Sequence, residues 1–438
     1  MTTTKLLARR RFLPLFVTQL FNAFNDNLYK NAMVLFVVFS VYNSEQAETL
    51  FSGAASLVFI LPFFLLSGTA GQLADMRDKA WVIRRVKAAE ILIMTVGAVG
   101  LYLGWRGTMV ESLAIPLMML ALFAMGIHST FFAPIKYAIL PQHLRREEVL
   151  AGTGLVEAGT YVAILMGTVL GGVLDVEIAA IAVILVAIIG WITSLQVPSA
   201  PPMEKVEPID LNLWRASVKI IRRVREVRQV WLAIVAISFF WTIGAVLFVQ
   251  FPPLVKNVLY ADKEVATLFL VIFSVGVSIG SVTINRLLKG DVSARFSPQS
   301  VTVMAGFVFA FYLLAKMWPE PVSDGLVSWQ TFMAEPLAVP LLLSLLGVAI
   351  MGGMFVVPLY AFLTTKIPTS EASRAVAANN IVNAGGMVLG SLASMVLSMA
   401  GVPITEQLLM TASMCLFSAW LGRNLHRAEV EEAALAPS

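Results

Sequence analysis

The chain has 438 residues, of which 58% are hydrophobic and 13% are charged, and its net charge is +4. Soluble domains average about 45–50% apolar and about 25% charged residues, so this chain carries more apolar surface than a water-soluble core can bury. The composition therefore predicts a membrane protein. One cysteine, Cys415, and three histidines exclude a disulfide framework and a cysteine metal cluster, and we expect neither a metal nor a cofactor.

The first apolar stretch, Phe12 to Tyr42, is long enough to cross a bilayer, for which about 20 residues suffice. It is too long and too polar at its centre for the apolar core of a cleaved signal peptide. Its middle contains the polar residues Asn22, Asn25, Asp26, Asn27, Lys30 and Asn31. A charge at mid-membrane costs about 2.5–3.5 kcal/mol on insertion scales. Asp26 and Lys30 share a helix face, where they either neutralise each other or line a cavity for a charged ligand.

Hydropathy along the chain predicts twelve transmembrane helices. They lie near residues 12–41, 47–74, 80–104, 112–139, 150–174, 177–197, 229–254, 264–288, 299–317, 337–365, 375–399 and 404–424. An even number places both termini on one side. Most of the 31 Lys and Arg fall in segments on that side, so the positive-inside rule predicts that both termini are cytoplasmic. Only Arg106, Lys256, Lys263 and Lys316 then lie outside, and Lys30 and Lys136 lie within the membrane.

A polar segment, residues 198–228, separates the first six predicted helices from the last six. It begins with a proline-rich linker and continues into basic residues interspersed with apolar ones at helical spacing. This pattern predicts an amphipathic helix on the anionic cytoplasmic leaflet and argues against nucleic acid as a partner. We therefore expect an N-terminal six-helix bundle (1–197), a cytoplasmic linker (198–228) and a C-terminal six-helix bundle (229–438).

The two predicted bundles resemble each other in sequence, as the halves of repeat-built transporters do. Three pairs of segments match in the same order: 71–79 with 280–289, 131–134 with 355–358, and 155–159 with 381–385. Glycines spaced four apart predict close helix contacts. These pairs are Gly167 and Gly171, Gly276 and Gly280, and Gly386 and Gly390.

The segment Gly71-Gln-Leu-Ala-Asp75-Met-Arg77-Asp-Lys79 resembles the signature between helices 2 and 3 of the major facilitator superfamily. It departs from the common form at Met76, where the family has Arg, and at Asp78, where it has Gly. The resemblance implies a gating role at the cytoplasmic end for Asp75, Arg77 and Lys79.

Five further stretches resemble the bacterial lysophospholipid transporter family of that superfamily: Phe24-Asn-Asp-Asn-Leu-Tyr-Lys-Asn31, Phe132-Ala-Pro-Ile-Lys-Tyr-Ala-Ile-Leu-Pro141, Gly154-Leu-Val-Glu-Ala-Gly-Thr160, Val357-Pro-Leu-Tyr360 and Ala377-Ala-Asn-Asn-Ile-Val-Asn383. The resemblance extends from about Phe12 to Arg423. It implies an all-α membrane protein with twelve transmembrane helices in two pseudo-symmetric bundles, the major facilitator fold.

The resemblance also implies a function. The chain would be a secondary carrier, and not an enzyme, that flips lysophospholipids from the outer to the inner leaflet of the bacterial inner membrane by alternating access. The lipids would then be reacylated. Many relatives are fused to acyltransferase and acyl-carrier-protein ligase domains, whereas this chain ends at Ser438. We therefore expect any such acyltransferase to be a separate protein that the carrier supplies. We also expect the carrier to be a monomer.

A lysophospholipid presents a phosphate, often an ammonium, and one acyl tail. Lys136 would bind the phosphate or extend to the headgroup region, and Asp26 would bind the ammonium or take part in a proton step. Glu157 would either pair with Lys136 or contact the ligand. The expected binding residues are Asn22, Asn25, Asp26, Asn27, Lys30, Lys136, Tyr137, Glu157, Asn379, Asn380 and Asn383.

Other residues have expected roles outside the headgroup site. Lys87 and Glu90, three apart, predict a structural ion pair, and His128 is expected to be packed rather than functional. The acyl tail would lie against aromatic side chains of the seventh helix. These are Phe239, Phe240, Trp241, Phe248 and Phe251.

Three other functions share parts of this pattern. A proton-coupled exporter of amphipathic small molecules would use Asp26 or Glu157 to carry the proton. A passive scramblase or channel would lack saturation and headgroup selectivity. A membrane acyltransferase is disfavoured, because the spacing of His143 and Glu148 gives Glu where such enzymes have Asp and the loop is too short for a site.

Overall fold

The computed structural model describes residues 6–201, 213–288, 293–320, 325–365 and 372–435. Their regular structure is helical, apart from an isolated bridge between Ala261 and Val327. The helices are α1 (Leu13–Phe36), α2 (Glu45–Met76), α3 (Lys79–Trp105), α4 (Ile115–Ala138), α5 (Leu140–His143), α6 (Arg146–Val173), α7 (Val176–Ser194), α8 (Leu213–Val224), α9 (Arg228–Asn257), α10 (Lys263–Leu288), α11 (Ser297–Lys316), α12 (Trp329–Ala334), α13 (Ala338–Thr365), α14 (Ala372–Met399) and α15 (Ile404–Leu435).

A long helix lies at each position where hydropathy predicts a membrane span, and most ends agree within a few residues. The largest difference is α15, which continues to Leu435 instead of ending near residue 424. Its last turns are polar, so hydropathy does not register them although they remain helical. Two π-helical segments, Val37–Val41 and Val110–Ala114, follow α1 and precede α4. The helix α8 lies where the sequence predicts a basic amphipathic helix; residues 202–212 of that linker are outside the described residues.

In the described part of the chain, nine helices are long and apolar enough to cross a membrane, and Ala158–Val173 of α6 is a shorter apolar helix. Large apolar side chains on them are exposed: Leu92 by 69%, Leu120 by 57% and Leu389 by 68%. So many exposed leucines are incompatible with water on that surface but are expected where helices face lipid. The protein is therefore a multi-pass membrane protein.

The contacts divide the chain into two compact units, and the first comprises Met1–Phe36 and Leu61–Leu213. Within it α1 packs on α6 and α7, and α3 packs on α4 and α7. The backbones of α1 and α6 approach closely at Gly167 and Gly171. A Cβ on Gly171 would lie 2.7 Å from the carbonyl oxygen of Leu28, so the predicted glycine contact is confirmed.

The second unit comprises Val37–Ile60 and Trp214–Ser438, so it includes the first half of α2. Within it α9 packs on α13, α14 and α15, α10 packs on α13, and α11 packs on α13 and α15. Both remaining glycine pairs also lie at helix contacts. Gly276 and Gly280 face α13, whereas Gly386 and Gly390 pack on Thr242 of α9.

Candidate functional site

The polar residues of α1 lie on different sides of the helix. Asn22, Asn25 and Asp26 are buried toward α3, α4 and α7. Asn27 instead lies at the contact with α6, where its Nδ2 donates to the carbonyl of Ala23 at 2.8 Å. The structure therefore brings only part of the predicted α1 set together, and Asn27 belongs to a helix contact on another face.

Asp26 is the centre of one buried polar group. Its Oδ2 accepts hydrogen bonds from Ser129 Oγ on α4 and, at 3.3 Å, from Asn22 Nδ2 one turn earlier. Its Oδ1 is buried and has no hydrogen-bond partner among the described residues. A carboxylate inside a membrane protein that keeps one oxygen unpartnered is energetically costly, and such residues are typical of ligand or ion sites.

Glu90 is the centre of a second buried group, next to the first. Lys87 forms a fully buried ion pair with Glu90, so the predicted pairing is confirmed. Asn25 Nδ2 donates to Glu90 Oε1 at 2.8 Å, and His128 Nε2 lies 3.3 Å from Glu90 Oε2. His128 is buried as predicted, but its contact with Glu90 shows that it belongs to a charged network rather than to apolar packing.

His128 connects the two groups. Its Nδ1 lies 3.5 Å from Ser129 Oγ, and Ser129 donates to Asp26. A continuous series of polar side chains therefore extends from Lys87 on α3 to Asp26 on α1. Neither Ser129 nor this role of His128 follows from the sequence, because the series depends on contacts among α1, α3 and α4.

Lys136 is part of a third polar group, toward one end of α4. Its Nζ lies 3.5 Å from Thr160 Oγ1 on α6, and Thr160 donates to Gln19 Oε1 on α1 at 2.8 Å. Gln19 Nε2 is buried without a hydrogen-bond partner in the described chain. Because Gln19 lies seven residues before Asp26, both are on one face of α1. Sequence reasoning missed Gln19, although its spacing from Asp26 was the available signal.

The remaining predicted residues of the first unit are less defined. Lys30 is half-buried, within electrostatic range of Asp26. The side chains of Tyr137 and Glu157 are outside what the structure describes. Whether Glu157 pairs with Lys136 or contacts the ligand therefore stays a prediction.

The predicted asparagines of the second half all lie on α14. Asn383 Oδ1 accepts a hydrogen bond from Ser238 Oγ of α9 at 2.7 Å, whereas Asn379 is buried with its Oδ1 unpartnered among the described residues. Asn380 is exposed. Asn379 and Asn383 are four residues apart, so both belong to the buried side of α14.

The aromatic residues of α9 do not form one surface. Phe251 is fully buried and packs edge-on against Phe269, so the expectation that it contacts an acyl tail is wrong for this residue. Phe240 is also buried. Phe248 is 43% exposed, and Trp241 donates from Nε1 to the Tyr360 hydroxyl at 2.6 Å. The helix α9 packs on α10, α13, α14 and α15, so most of its faces are buried, which the apolar sequence alone does not reveal.

Comparison with known proteins places the chain in a family. The family model described as Major Facilitator Superfamily matches residues 15–391, which is most of the chain. The chain belongs to the major facilitator superfamily. Solved transporters of similar fold include a bacterial homologue of the iron transporter ferroportin in an inward-facing state, with a TM-score of 0.68, 11% identity and coverage of 95% of this chain and 98% of that one. An inward-facing bacterial homologue of the lysosomal transporter Spinster gives a TM-score of 0.65 at 12% identity, covering 96% and 98%.

Curated relatives within this superfamily are similar over most of their length. The lysophospholipid transporter LplT of Pectobacterium carotovorum is 27% identical over 395 residues, which cover 87% of this chain and 85% of the relative. The lysophospholipid transporter LplT of Escherichia coli strain SE11 is 24% identical, with coverage of 89% for both. These relatives and the solved structures of similar fold are transporters.

Asp78, one of the two residues that depart from the common form of the superfamily signature, makes the hydrogen bonds of the turn between α2 and α3. Its Oδ1 accepts hydrogen bonds from the backbone of Ala80 and Trp81, which caps α3, and from the backbone of Ala200; its Oδ2 accepts from Ser199. Partial burial alone would raise the pKa of Asp78, but these hydrogen bonds outweigh it and lower the pKa below its usual value.

The three predicted gating residues differ in what the structure describes. Arg77 is exposed, and Lys79 is buried with its backbone N–H donating to Ala200 at 3.0 Å. The side chain of Asp75 is outside the described residues. Asp78 therefore connects the α2–α3 turn to the segment after α7 by hydrogen bonds. From the sequence, Asp78 was noted only as a position that differs from the superfamily signature.

A buried ionic contact in the second unit was also missed. Lys256 Nζ at the end of α9 lies 2.7 Å from Glu48 Oε1 and 2.7 Å from the carbonyl of Val38, and it also donates to the carbonyl of Tyr42. The other oxygen of Glu48, which is fully buried, accepts from Asn257. We call Glu48, Lys256 and Asn257 the polar latch. It joins the start of α2 to the end of α9, which are far apart in sequence.

Among the described residues, no group of three His, Cys, Asp or Glu side chains could hold a metal ion.

Proposed function

We propose that this superfamily member is a secondary carrier that moves lysophospholipids from the outer to the inner leaflet of the bacterial inner membrane. The curated relatives that match about nine-tenths of the chain are named lysophospholipid transporters, which supports this substrate. In this proposal twelve transmembrane helices form two bundles, 1–197 and 229–438, joined by the linker 198–228, and both termini are cytoplasmic.

One structural observation carries the substrate assignment: the buried, half-satisfied Asp26. Its Oδ1 is without a hydrogen-bond partner in the described chain, so an ammonium group of a lipid headgroup would supply the missing donor. Gln19 Nε2, two turns before Asp26 on the same face of α1, would donate a hydrogen bond to a headgroup oxygen. Inside a membrane protein, a buried unpartnered acceptor and a buried unpartnered donor suit the two charges of a zwitterionic ligand.

The phosphate of the lipid requires a cation, which we assign to Lys136. Its Nζ lies 3.5 Å from the neutral Thr160 hydroxyl, a long contact that a phosphate oxygen would replace at shorter distance. Lys30, Tyr137 and Glu157 complete the proposed site on the first bundle. On the second bundle, Asn379 has the unpartnered amide oxygen and is the asparagine of α14 best suited to contact the ligand.

Alternating access is the proposed mechanism, and the polar latch is its closing element at the extracellular end. The latch joins helices that belong to different bundles in the predicted division, α2 and α9, so it would have to open when that end opens. The delivered lysophospholipid would be reacylated by a separate acyltransferase, and the carrier would act as a monomer.

Uptake of headgroup-labelled lysophosphatidylethanolamine into proteoliposomes tests the proposal. We expect saturable uptake that exceeds empty liposomes and is competed by unlabelled lysophospholipid. Imposing a proton gradient identifies the coupling: uptake that proceeds without a gradient indicates facilitated flipping, whereas strict dependence indicates symport. Absence of lysophospholipid uptake by folded protein would contradict the proposal.

A proton-coupled exporter of amphipathic small molecules is the second candidate. The connected side chains of Asp26, Ser129, His128 and Glu90 favour it, because a series of titratable groups suits proton movement. Efflux of an amphipathic dye that collapses with an uncoupler, together with no lysophospholipid uptake in the same vesicles, would establish this function instead.

A further inference from the structure

A basic cavity lies in the first unit, away from Asp26 and Lys136. It has a volume of about 460 Å³ and is lined by Arg10, Arg11, Arg84 and the segment 195–198. Arg10 and Arg11 precede α1, Arg84 is near the start of α3, and the segment follows α7. The cavity is therefore at the ends of three helices. The positive-inside rule accounts for arginines on this side but not for their convergence on one concave surface.

The arginines are held by the protein in different ways. Arg84 Nη2 donates to the carbonyl of Val197 in the cavity wall at 2.8 Å, which fixes the guanidinium, while its Nε is buried without a hydrogen-bond partner among the described residues. Arg11 pairs with Glu148 at 2.5 Å. Arg10 is exposed. The three arginines carry three positive charges, and in the described chain only that of Arg11 is neutralised, by Glu148. The cavity therefore keeps a net positive charge.

Guanidinium groups match phosphate oxygens in geometry and charge, and basic pockets between membrane helices bind anionic headgroups. Exposed apolar side chains beside the cavity favour a lipid over a free anion as its ligand. Leu13 at the start of α1 is 40% exposed, Ile192 on α7 is 48% exposed, and Leu195 in the cavity wall is 47% exposed. A ligand with its phosphate in the cavity would cover these side chains with acyl chains, whereas a free anion would leave them bare.

We propose that this cavity binds the headgroup phosphate of an anionic phospholipid, such as phosphatidylglycerol, in the leaflet on the side of the N-terminus. The lipid is a resident of the membrane and not the transported substrate. Its phosphate contacts Arg10 and Arg84, and its acyl chains lie on the exposed ends of α1 and α7. Because none of the proposed substrate residues line the cavity, this inference does not depend on which substrate the carrier moves.

Lipid binding to the purified full chain tests the inference. Detergent-solubilised protein is titrated with phosphatidylglycerol, phosphatidylcholine or inorganic phosphate, and bound lipid is counted by native mass spectrometry. The variants are Arg10→Gln, which replaces an exposed side chain, and Arg84→Gln. The control is Arg106→Gln, which replaces an exposed arginine that follows the other end of α3.

We expect phosphatidylglycerol to bind the wild-type protein and Arg106→Gln alike, and to bind Arg10→Gln and Arg84→Gln about tenfold more weakly, as loss of a charge-assisted hydrogen bond predicts. Phosphatidylcholine is expected to bind more weakly, and inorganic phosphate to compete poorly. Unchanged phosphatidylglycerol binding by both cavity variants would overturn the inference. Competition by inorganic phosphate at equal concentration would also overturn it, because the cavity would then be a free-anion site.

Discussion

Lys87 and Glu90 are fully buried, and each compensates the charge of the other. Replacing one partner of such a pair costs about 3–5 kcal/mol, since the remaining charge stays in a low-dielectric interior. We therefore expect Lys87→Met to lower the thermal unfolding midpoint of the purified protein strongly, measured by size-exclusion chromatography after heating.

The double variant Lys87→Met/Glu90→Met is the control for that prediction. Replacing both members by apolar residues of similar length removes the charges together and is often close to neutral. We expect most of the lost stability to return. A double variant as unstable as Lys87→Met alone would show that the pair does not act by mutual neutralisation.

Asp26 is expected to act on transport rather than on folding. Asp26→Asn keeps the shape and the bond from Ser129 but removes the charge that would receive an ammonium. Loss of a charge-assisted hydrogen bond predicts lysophosphatidylethanolamine uptake lower by about tenfold or more. Thr95→Ala, which removes an exposed hydroxyl on α3, is the control and is expected to transport normally. Normal uptake by Asp26→Asn would remove Asp26 from the site.

Among single residues, the sequence predicts those whose role can be read from their neighbours in the same helix. Asp26 is conspicuous as a charge in an apolar stretch, and Lys87 and Glu90 pair at helical spacing. Gln19 and Ser129 are ordinary polar residues in sequence. They gain importance only because three helices meet around them, and no spacing along one helix encodes that contact.

Among elements, the start of α3 depends on one side chain, Asp78. Removing an N-cap costs about 0.5–2 kcal/mol, so Asp78→Ala is expected to lower the unfolding midpoint at pH 7. Because the pKa of Asp78 is lowered in the folded protein, its stabilisation is complete above its unfolded pKa and is lost as the pH falls through the folded value. The stability difference between wild type and Asp78→Ala should therefore shrink as the pH falls below about 4.

Asp78→Asn separates the cap from the charge. Asparagine caps helices as well as aspartate does, so this variant is expected to keep most of the stability at pH 7 while losing its dependence on acid pH. A pH profile of Asp78→Asn that matches the wild type would show that another carboxyl group is responsible.

The contact of α1 with α6 depends on a residue without a side chain. A Cβ at Gly171 would lie 2.7 Å from the Leu28 carbonyl oxygen, so Gly171→Ala forces the two backbones apart. Overpacking of this kind costs about 1–3 kcal/mol. Gly306→Ala on α11 is the matched control, because a Cβ there has no atom within 4 Å, and alanine favours a helix over glycine. Equal midpoints for the two variants would contradict the close-contact interpretation.

Helix positions were predictable because apolar runs of membrane length are long and unambiguous. What could not be predicted lies at the ends. The polar last turns of α15 carry no hydropathy signal, and the π-helical segments beside α1 and α4 depend on how the neighbouring helices pack. The small-residue pairs, by contrast, predicted their contacts correctly, since only glycine permits such approach.

At the scale of the whole molecule, the linker and the contacts between helices divide the chain at different places. The linker follows α7, yet the contacts assign Val37–Ile60 to the second unit. The polar latch is one reason, and another is that Ser56 Oγ on α2 lies 3.1 Å from Ser391 Oγ on α14. The sequence could not predict this association, because it joins segments that are 208 residues apart at Glu48 and Lys256 and 335 apart at Ser56 and Ser391.

The most direct measurement is lysophospholipid uptake by a protein in which this contact is locked. In a Cys415→Ser background, the pair Ser56→Cys/Ser391→Cys places two thiols where the hydroxyls are 3.1 Å apart, close enough for a disulfide. The control pair Thr18→Cys/Thr193→Cys links α1 to α7, two helices of one proposed bundle, whose hydroxyls are 3.0 Å apart.

We predict that oxidation abolishes uptake of headgroup-labelled lysophosphatidylethanolamine by the α2–α14 pair and that reduction restores it, while the α1–α7 pair transports in both states. Undiminished uptake by the fully crosslinked α2–α14 pair would contradict an alternating-access lysophospholipid carrier.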